Sequence, residues 1–233
     1  MKVVILCGGL GSRLAEETKR RPKPMVKIGN KPILIHIMRI YKKNGFNDFI
    51  LAGGYKCGML KKYFKMNKEF KNVKIVNTGL NNLTSKRLHK LKKYLKNEEN
   101  FMLTYGDGLT NQNLKKLLEY HIKHKKIATV TAVRTPVRFG EMQISGNKVK
   151  NFREKRQAKN SWINGGFFVF SSKIFKFVSN KNIMLEMQPM NQIVKKKELT
   201  AFKHTGFWQC MDTMRDKEFL INLLKTKKAP WLN

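Results

Sequence analysis

Val3-Val4-Ile5-Leu6-Cys7, then Gly8-Gly9-Leu10-Gly11-Ser12-Arg13, then Arg21-Pro22-Lys23-Pro24-Met25: this opening stretch decides how the chain folds. The short apolar run reads as a strand buried on both faces. The glycines after it permit a tight turn and bring backbone N–H groups close to a ligand. Leu14 to Lys19 reads as the start of a helix, and N–H groups at such an end favour an anion. Arg13 and Lys23 add two cations. The stretch therefore predicts a polyphosphate cradle, although a plain turn accounts for Gly-Gly-x-Gly taken alone. It is neither a Walker loop nor the full dinucleotide fingerprint.

Downstream, strand and helix patterns alternate. Pro32 to Asn44 carries apolar residues at helical spacing and stops at Gly45. Phe49–Ala52, Val73–Val76 and Phe101–Tyr105 read as short buried strands, with helices over Cys57–Phe64 and Ser85–Leu95 between them. Such alternation predicts parallel βαβ units, with a ligand bound outside the carboxyl ends of the strands. The glycine loop and Gly106-Asp107-Gly108 both fall at that edge. Further on come a helix over Leu114–Lys125, a strand over Ala128–Val133 and a hairpin turning at Ser145-Gly146-Asn147. A strand over Phe167–Phe170, a short helix over Lys173–Val178 and a helix over Met187–Lys197 complete the pattern. No Pro-, Gly- or Ser-rich linker divides the chain. The expected architecture is α/β: a three-layer, mostly parallel, Rossmann-like sheet with a smaller sugar-binding or lid subregion, in one domain spanning 1–233.

Composition narrows the function classes. The 233 residues hold 49 Lys and Arg against 15 Asp and Glu, a formal charge of +34. Such an excess attracts anionic partners. The lysines are scattered, however, as in Lys61-Lys62, Lys92-Lys93 and Lys195-Lys196-Lys197, with no basic tail and no RNA-binding aromatic signature. No specific nucleic-acid partner is expected. No apolar run reaches the length of a membrane span, so no membrane association is expected either. Cys7, Cys57 and Cys210 lack metal spacing and point to a reducing cytoplasm.

Asp107, between two glycines after a strand, is an uncrowded carboxylate suited to a hard cation such as Mg²⁺. Taken alone, however, it reads better as a plain Asp-Gly turn. Asp212 stands far away in Trp208-Gln209-Cys210-Met211-Asp212-Thr213, and two carboxylates with substrate phosphates make a common Mg²⁺ site. Glu154-Lys155, taken alone, is usually just a surface ion pair. Gly165-Gly166 after Asn164 is open to a tight turn or to a loop that lines a ligand site.

The opening string, with Arg13 and the Pro-Lys-Pro at their spacing, resembles the signature of the sugar-1-phosphate nucleotidyltransferases. Arg138-Phe139-Gly140, Ile163-Asn164-Gly165-Gly166-Phe167-Phe168, Gly206 through Asp216 and Lys228-Ala229-Pro230-Trp231 are similar to the glucose-1-phosphate cytidylyltransferase group within that family. The resemblance implies that CTP and α-D-glucose 1-phosphate become CDP-glucose and pyrophosphate, with Mg²⁺ as cofactor. It implies catalytic roles for Arg13, Lys23, Asp107 and Asp212, the two aspartates holding the metal. Nucleotide contacts are implied for Leu6, Gly8, Gly9, Gly11, Ser12, Arg13, Lys23, Thr84, Arg87, Thr104 and Gly106. Sugar-phosphate contacts are implied for Gly140, Glu154, Lys155, Asn164, Gly165 and Trp208. Residues 1–112 would then be mainly the nucleotide-binding half and 113–233 mainly the sugar-binding half of a cytoplasmic homo-oligomer.

The chain departs from the group at several points. Thr84-Ser85-Lys86-Arg87 stands where the group has Thr-Gly-Gly-Arg, so side chains replace two glycines beside the expected base site. Arg156 replaces a Pro after Glu154-Lys155, Leu185 replaces a Trp, and the stretch between Phe64 and Val73 is short. A different nucleotide (dTTP, UTP or GTP) or another sugar or alditol phosphate is the alternative these departures leave open.

Overall fold

A computed structural model describes residues 1–67, 69–134, 141–153 and 162–232. β1 (Lys2–Cys7) leads through a 3-10 turn at Ser12–Leu14 into the four-residue α1 (Ala15–Thr18). The continuous helix expected over Leu14–Lys19 is thus a single turn. The Thr18 hydroxyl, 3.1 Å from the carbonyls of Gly11 and Leu14, folds back on the turn, and Pro22 stops any extension. So short a helix has almost no macrodipole, and attraction for an anion falls to the side chains.

The short strands β2 (Lys27–Ile28) and β3 (Lys31–Pro32) precede α2 (Ile33–Lys43), whose first helical residue is Ile33 rather than Pro32. Next come β4 (Asp48–Gly53), α3 (Cys57–Met66) and β5 (Asn72–Asn77). The helix expected over Ser85–Leu95 is two pieces, α4 (Thr84–Lys90) and α5 (Lys92–Leu95). Tight i to i+3 bonds around Leu91 turn Leu88, Leu91 and Leu95 together into the core. β6 (Asn100–Tyr105), β7 (Gly108–Thr110), α6 (Leu114–His124), β8 (Ala128–Val133) and the hairpin β9 (Glu141–Ser145) and β10 (Lys148–Arg153) follow. The chain ends with β11 (Ile163–Ser171), a 3-10 turn at Ser172–Lys176, α7 (Gln188–Lys195), β12 (Leu199–His204), β13 (Trp208–Cys210) and α8 (Met214–Lys225).

Among the described residues, seven strands form one sheet in the order β12-β8-β11-β6-β1-β4-β5. Alternation along β1 splits the core. Val3, Ile5 and Cys7 face α2, α6 and α8, while Val4 and Leu6 face α4, α5 and α7. The result is the expected three-layer α/β/α arrangement. Among the described residues no helix is long and apolar enough to cross a membrane.

One strand of the sheet runs against the rest. β11 is antiparallel to both β6 and β8, whereas the other neighbouring pairs are parallel. It therefore starts at the edge where the parallel strands end. Asn164-Gly165-Gly166, expected as a loop before a strand, lies inside β11 at a register shift between Asn164 and Phe168. Gly166 has φ 77°, and a Cβ there would overlap the Tyr105 ring, so only glycine fits.

Candidate active site

The parallel strands deliver the glycine loop after β1 and Asp107 after β6 to one edge, around a cavity of about 530 Å³. Leu6, Gly8, Gly9, Gly11, Ser12 and Arg13 line it from the first loop, and Lys23 from the 3-10 turn Lys23–Met25. Thr104 and Gly106 flank the end of β6, while Thr84 and Arg87 come from α4. Asn164, Gly165 and Trp208 line the side built by β11 and β13. Gly140, Glu154 and Lys155, together with Arg138, Phe139 and Arg156, lie outside the described residues. Neither Ser85 nor Lys86 lines the cavity, so the two glycine replacements leave its surface to Thr84 and Arg87. Leu185 is fully buried in the core.

A two-stranded ladder joins the distant aspartates. β13 pairs antiparallel with β7, Cys210 opposite Gly108, and the Met211 amide donates to the Asp107 carbonyl at 2.9 Å. Asp107 and Asp212 therefore sit side by side at the ladder's end. The backbone beyond Asp212 is held by Asp216, whose Oδ2 accepts from the amides of Asp212 (3.0 Å) and Thr213 (2.9 Å) in a capping box at the start of α8.

Between the carboxylates stands the Lys23 ammonium, 2.6 Å from Asp107 Oδ2 and 2.5 Å from Asp212 Oδ1. Arg13 Nη1 reaches Asp212 Oδ2 at 2.8 Å. Burial opposes charge on Asp212, but Lys23 and then Arg13 outweigh it and hold its carboxyl below the ordinary range. Burial likewise opposes charge on Lys23, and the two aspartates outweigh it, raising its pKa. Cys210, beside Asp212, is pushed up to about 12 by burial and by the neighbouring carboxylates, which leaves it a thiol.

Arg87 is buried beneath the glycine loop. Its Nη1 donates to Gly53 O (3.2 Å), Thr78 Oγ1 (2.7 Å) and Gly79 O (2.8 Å), and its Nη2 to Gly8 O (2.8 Å) and Leu80 O (3.0 Å). It ties the loops after β1 and β5 to the last residue of β4. Opposite, Trp208 Nε1 donates to Gly165 O at 2.7 Å and Asn164 Nδ2 to the Tyr105 hydroxyl at 3.3 Å.

The sequence reading missed Tyr105, Glu186 and Asp216. Glu186 and Tyr105 line the cavity and hydrogen-bond to each other. Thr213 three residues before Asp216, ahead of an apolar-periodic run, is the helix-start signal that could have located α8 and hence Asp216. Glu186 carries no such signal, since nothing local joins it to Tyr105.

Cations and paired carboxylates at the carboxyl edge of a mostly parallel sheet define an α/β protein built for phosphorylated ligands. The model of the nucleotidyl transferase family matches residues 2–213, and the chain belongs to that family. It is 42% identical to the glucose-1-phosphate cytidylyltransferase of Salmonella typhi, over 99% of this chain and 98% of the other. The mannose-1-phosphate guanylyltransferase catalytic subunit beta of Drosophila melanogaster is 30% identical over 99% of this chain and 66% of its own. HddC from Yersinia pseudotuberculosis, solved with GMP-PN, shares the fold with a TM-score of 0.74 at 24% identity, covering 96% of this chain and 99% of that one.

Proposed function

We propose that the chain joins CTP to α-D-glucose 1-phosphate, yielding CDP-glucose and pyrophosphate. The observation that carries this reading is the facing arrangement of one cavity. Arg13, Lys23, Asp107 and Asp212 stand with the glycine loop on one side, and Asn164, Gly165 and Trp208 on the other. The cytidylyl and glucosyl assignments draw support from the 42% identity to the Salmonella typhi enzyme, against 30% for the guanylyltransferase subunit.

A phosphate oxygen of the sugar 1-phosphate attacks the α-phosphorus of the triphosphate, and pyrophosphate leaves. The attacking oxygen is already anionic, so no general base is required. The residues contribute alignment and charge. The glycine loop offers backbone N–H groups to the triphosphate, and Arg13 and Lys23 place positive charge where the departing pyrophosphate gathers its negative charge. The sequence resemblance assigns the attacking phosphate to Lys155 and the sugar to Glu154 and Gly140. The nucleotide side belongs mainly to residues 1–112 and the sugar side to 113–233.

Asp107 and Asp212 fit Mg²⁺. Their oxygens are hard donors that already share a cation, the Lys23 ammonium, and two protein ligands suit an ion that keeps waters and takes phosphate oxygens. Held by these carboxylates, Mg²⁺ would supply neutralisation of the charge on the phosphates. A cytoplasmic homo-oligomer completes the proposal on sequence grounds.

The test is pyrophosphate release with glucose 1-phosphate and Mg²⁺, run in parallel with CTP, UTP, dTTP, ATP and GTP. Release with CTP well above the others is expected. Release led by another nucleotide keeps the chemistry and moves the base, and silence from folded protein with every nucleotide overturns the reading.

A further inference from the structure

We propose that Glu186 is a specificity-determining residue which leaves the Thr84, Glu186 and Tyr105 side chains with acceptors alone on one wall of the cavity, selecting substrate groups that donate hydrogen bonds. The inference rests on the reading of this cavity as the substrate site and deepens it.

The wall is built from three side chains brought together from separate parts of the chain. The Thr84 hydroxyl donates to Glu186 Oε2 at 2.8 Å and accepts from the Leu185 amide at 2.7 Å. The Tyr105 hydroxyl donates to Glu186 Oε1 and accepts from Asn164 Nδ2. Asn164 is oriented in turn by its Oδ1, which accepts from the Gly166 amide at 2.8 Å. Each hydroxyl has a single proton, and Glu186 takes both. What Thr84 and Tyr105 have left for a ligand is lone pairs. The carboxylate itself only accepts, and two bonds leave part of its capacity free.

No cation is paired with Glu186 among the described residues, in a chain whose formal charge is +34. The polar hydrogens of a ligand can supply a positive counterpart to it. A base carbonyl placed against this wall meets lone pairs on lone pairs, whereas an amino group or a sugar hydroxyl meets acceptors. Sites that bond a polar hydrogen reject analogues lacking it strongly, because their own buried groups are then left unpaired. Two substrate groups share this chemistry, the exocyclic amine of a cytosine and the hydroxyls of a hexose. Glu186 stands between Thr84, on the helix beside the glycine loop, and Tyr105 with Asn164, beside Trp208.

The experiment is steady-state kinetics of Glu186→Gln against wild type, with both substrates varied and the thermal midpoint recorded. Glutamine keeps the shape and presents an amide that donates as well as accepts. We expect KM to rise at least about 10-fold for one substrate, with kcat changed by less than about threefold and the midpoint unmoved. A rise for the nucleotide, with narrowed preference for CTP over UTP, identifies the base amine. A rise for glucose 1-phosphate, with narrowed preference over deoxyglucose 1-phosphates, identifies a sugar hydroxyl. Unchanged KM for both, or a fall in kcat alone, overturns the inference. If Glu186→Gln does not fold, Glu186→Asp, which draws the carboxylate back from both hydroxyls, takes its place under the same criteria. A wild type that turns over no substrate overturns the reading of the site instead. Glu186 is then judged by calorimetric binding of CTP and of glucose 1-phosphate to both proteins, equal affinities counting against it.

Discussion

The guanidinium of Arg87 fills the space that a side chain on Gly8 would need. The same group overlaps any Cβ placed on Gly54, so the two glycines are the slot into which the arginine fits. Arg87 is only 3% exposed, burial lowers its pKa, and its contacts are carbonyls and one hydroxyl. A planar fork serves several acceptors at once in a way that a lysine ammonium does not. Arg87→Lys is expected to lose about 2–4 kcal/mol in urea unfolding, the scale of stranding buried polar groups. Gly8→Ala displaces the guanidinium and with it the loops after β1 and β5. Its nucleotide KM should rise at least about 10-fold, given how steeply rate and affinity depend on placement.

The Lys23 ammonium between Asp107 and Asp212 makes these residues one electrostatic unit. Removing one charge leaves the others uncompensated in a half-buried site. Asp107→Asn and Lys23→Ala should each reduce turnover at least ~100-fold, the scale of losing one preorganised charge contact. Circular dichroism would establish that both variants remain folded. Near-wild-type activity in either removes that residue from the mechanism.

Much of this arrangement is readable in the sequence because it is local. The strand before Gly8, the α2 periodicity over Ile33–Lys43 and the turn at Gly146-Asn147 are each decided by neighbours along the chain. What escapes is decided by partners far away. β7 and β13 are three residues each and exist because they pair with one another. β12 has alternating partial burial and reads weakly as a strand until β8 lies beside it. The helix expected over Leu14–Lys19 is cut to the single turn Ala15–Thr18, where Thr18 bonds back into the turn, a competition that propensity does not reveal. The site residues lining the cavity came from family resemblance, whereas the proximity of Glu186 to Thr84 and Tyr105 exists only in the folded chain.

Three histidines make stability depend on pH in the mildly acidic range. Burial depresses the pKa of His36, His121 and His204, and that of His121 reaches about 4. His121 is 2% exposed, between Thr129 Oγ1 at 2.8 Å and Asn100 Oδ1 at 3.1 Å. Below the ordinary histidine value the unfolded chain takes up a proton that the folded chain refuses. Stability is therefore full above about pH 6.5 and is lost as the pH falls towards 4, by on the order of 3 kcal/mol for His121. Glu17, Glu69, Glu98 and Asp212, all held below their ordinary values, lose their contributions only at lower pH. Urea unfolding from pH 8 to 4.5 should show the decline, and His121→Gln should flatten it. An unchanged slope in the variant would place the proton uptake elsewhere.

The C-terminus of α8 carries a lysine where glycine is usual. Lys227 has φ 57°, with its amide donating to Leu224 O at 3.1 Å and the Lys228 amide to Leu223 O at 2.9 Å. This is the paired bonding of a Schellman end, whose left-handed residue costs an L side chain about 1–2 kcal/mol. Lys197 ends α7 in the same way, with bonds from its own amide to Val194 O and from Glu198 to Ile193 O. Glycine relieves the strain but gains freedom in the unfolded chain, so Lys227→Gly should stabilise by a net of about 0.5–1 kcal/mol. For a chain of this size that is a rise of roughly 1–4 °C in Tm. The opposite sign is expected inside the same helix, where Glu218→Gly should cost about 1 kcal/mol. A fall in Tm for Lys227→Gly would mean that the lysine side chain contributes more than its backbone strain removes.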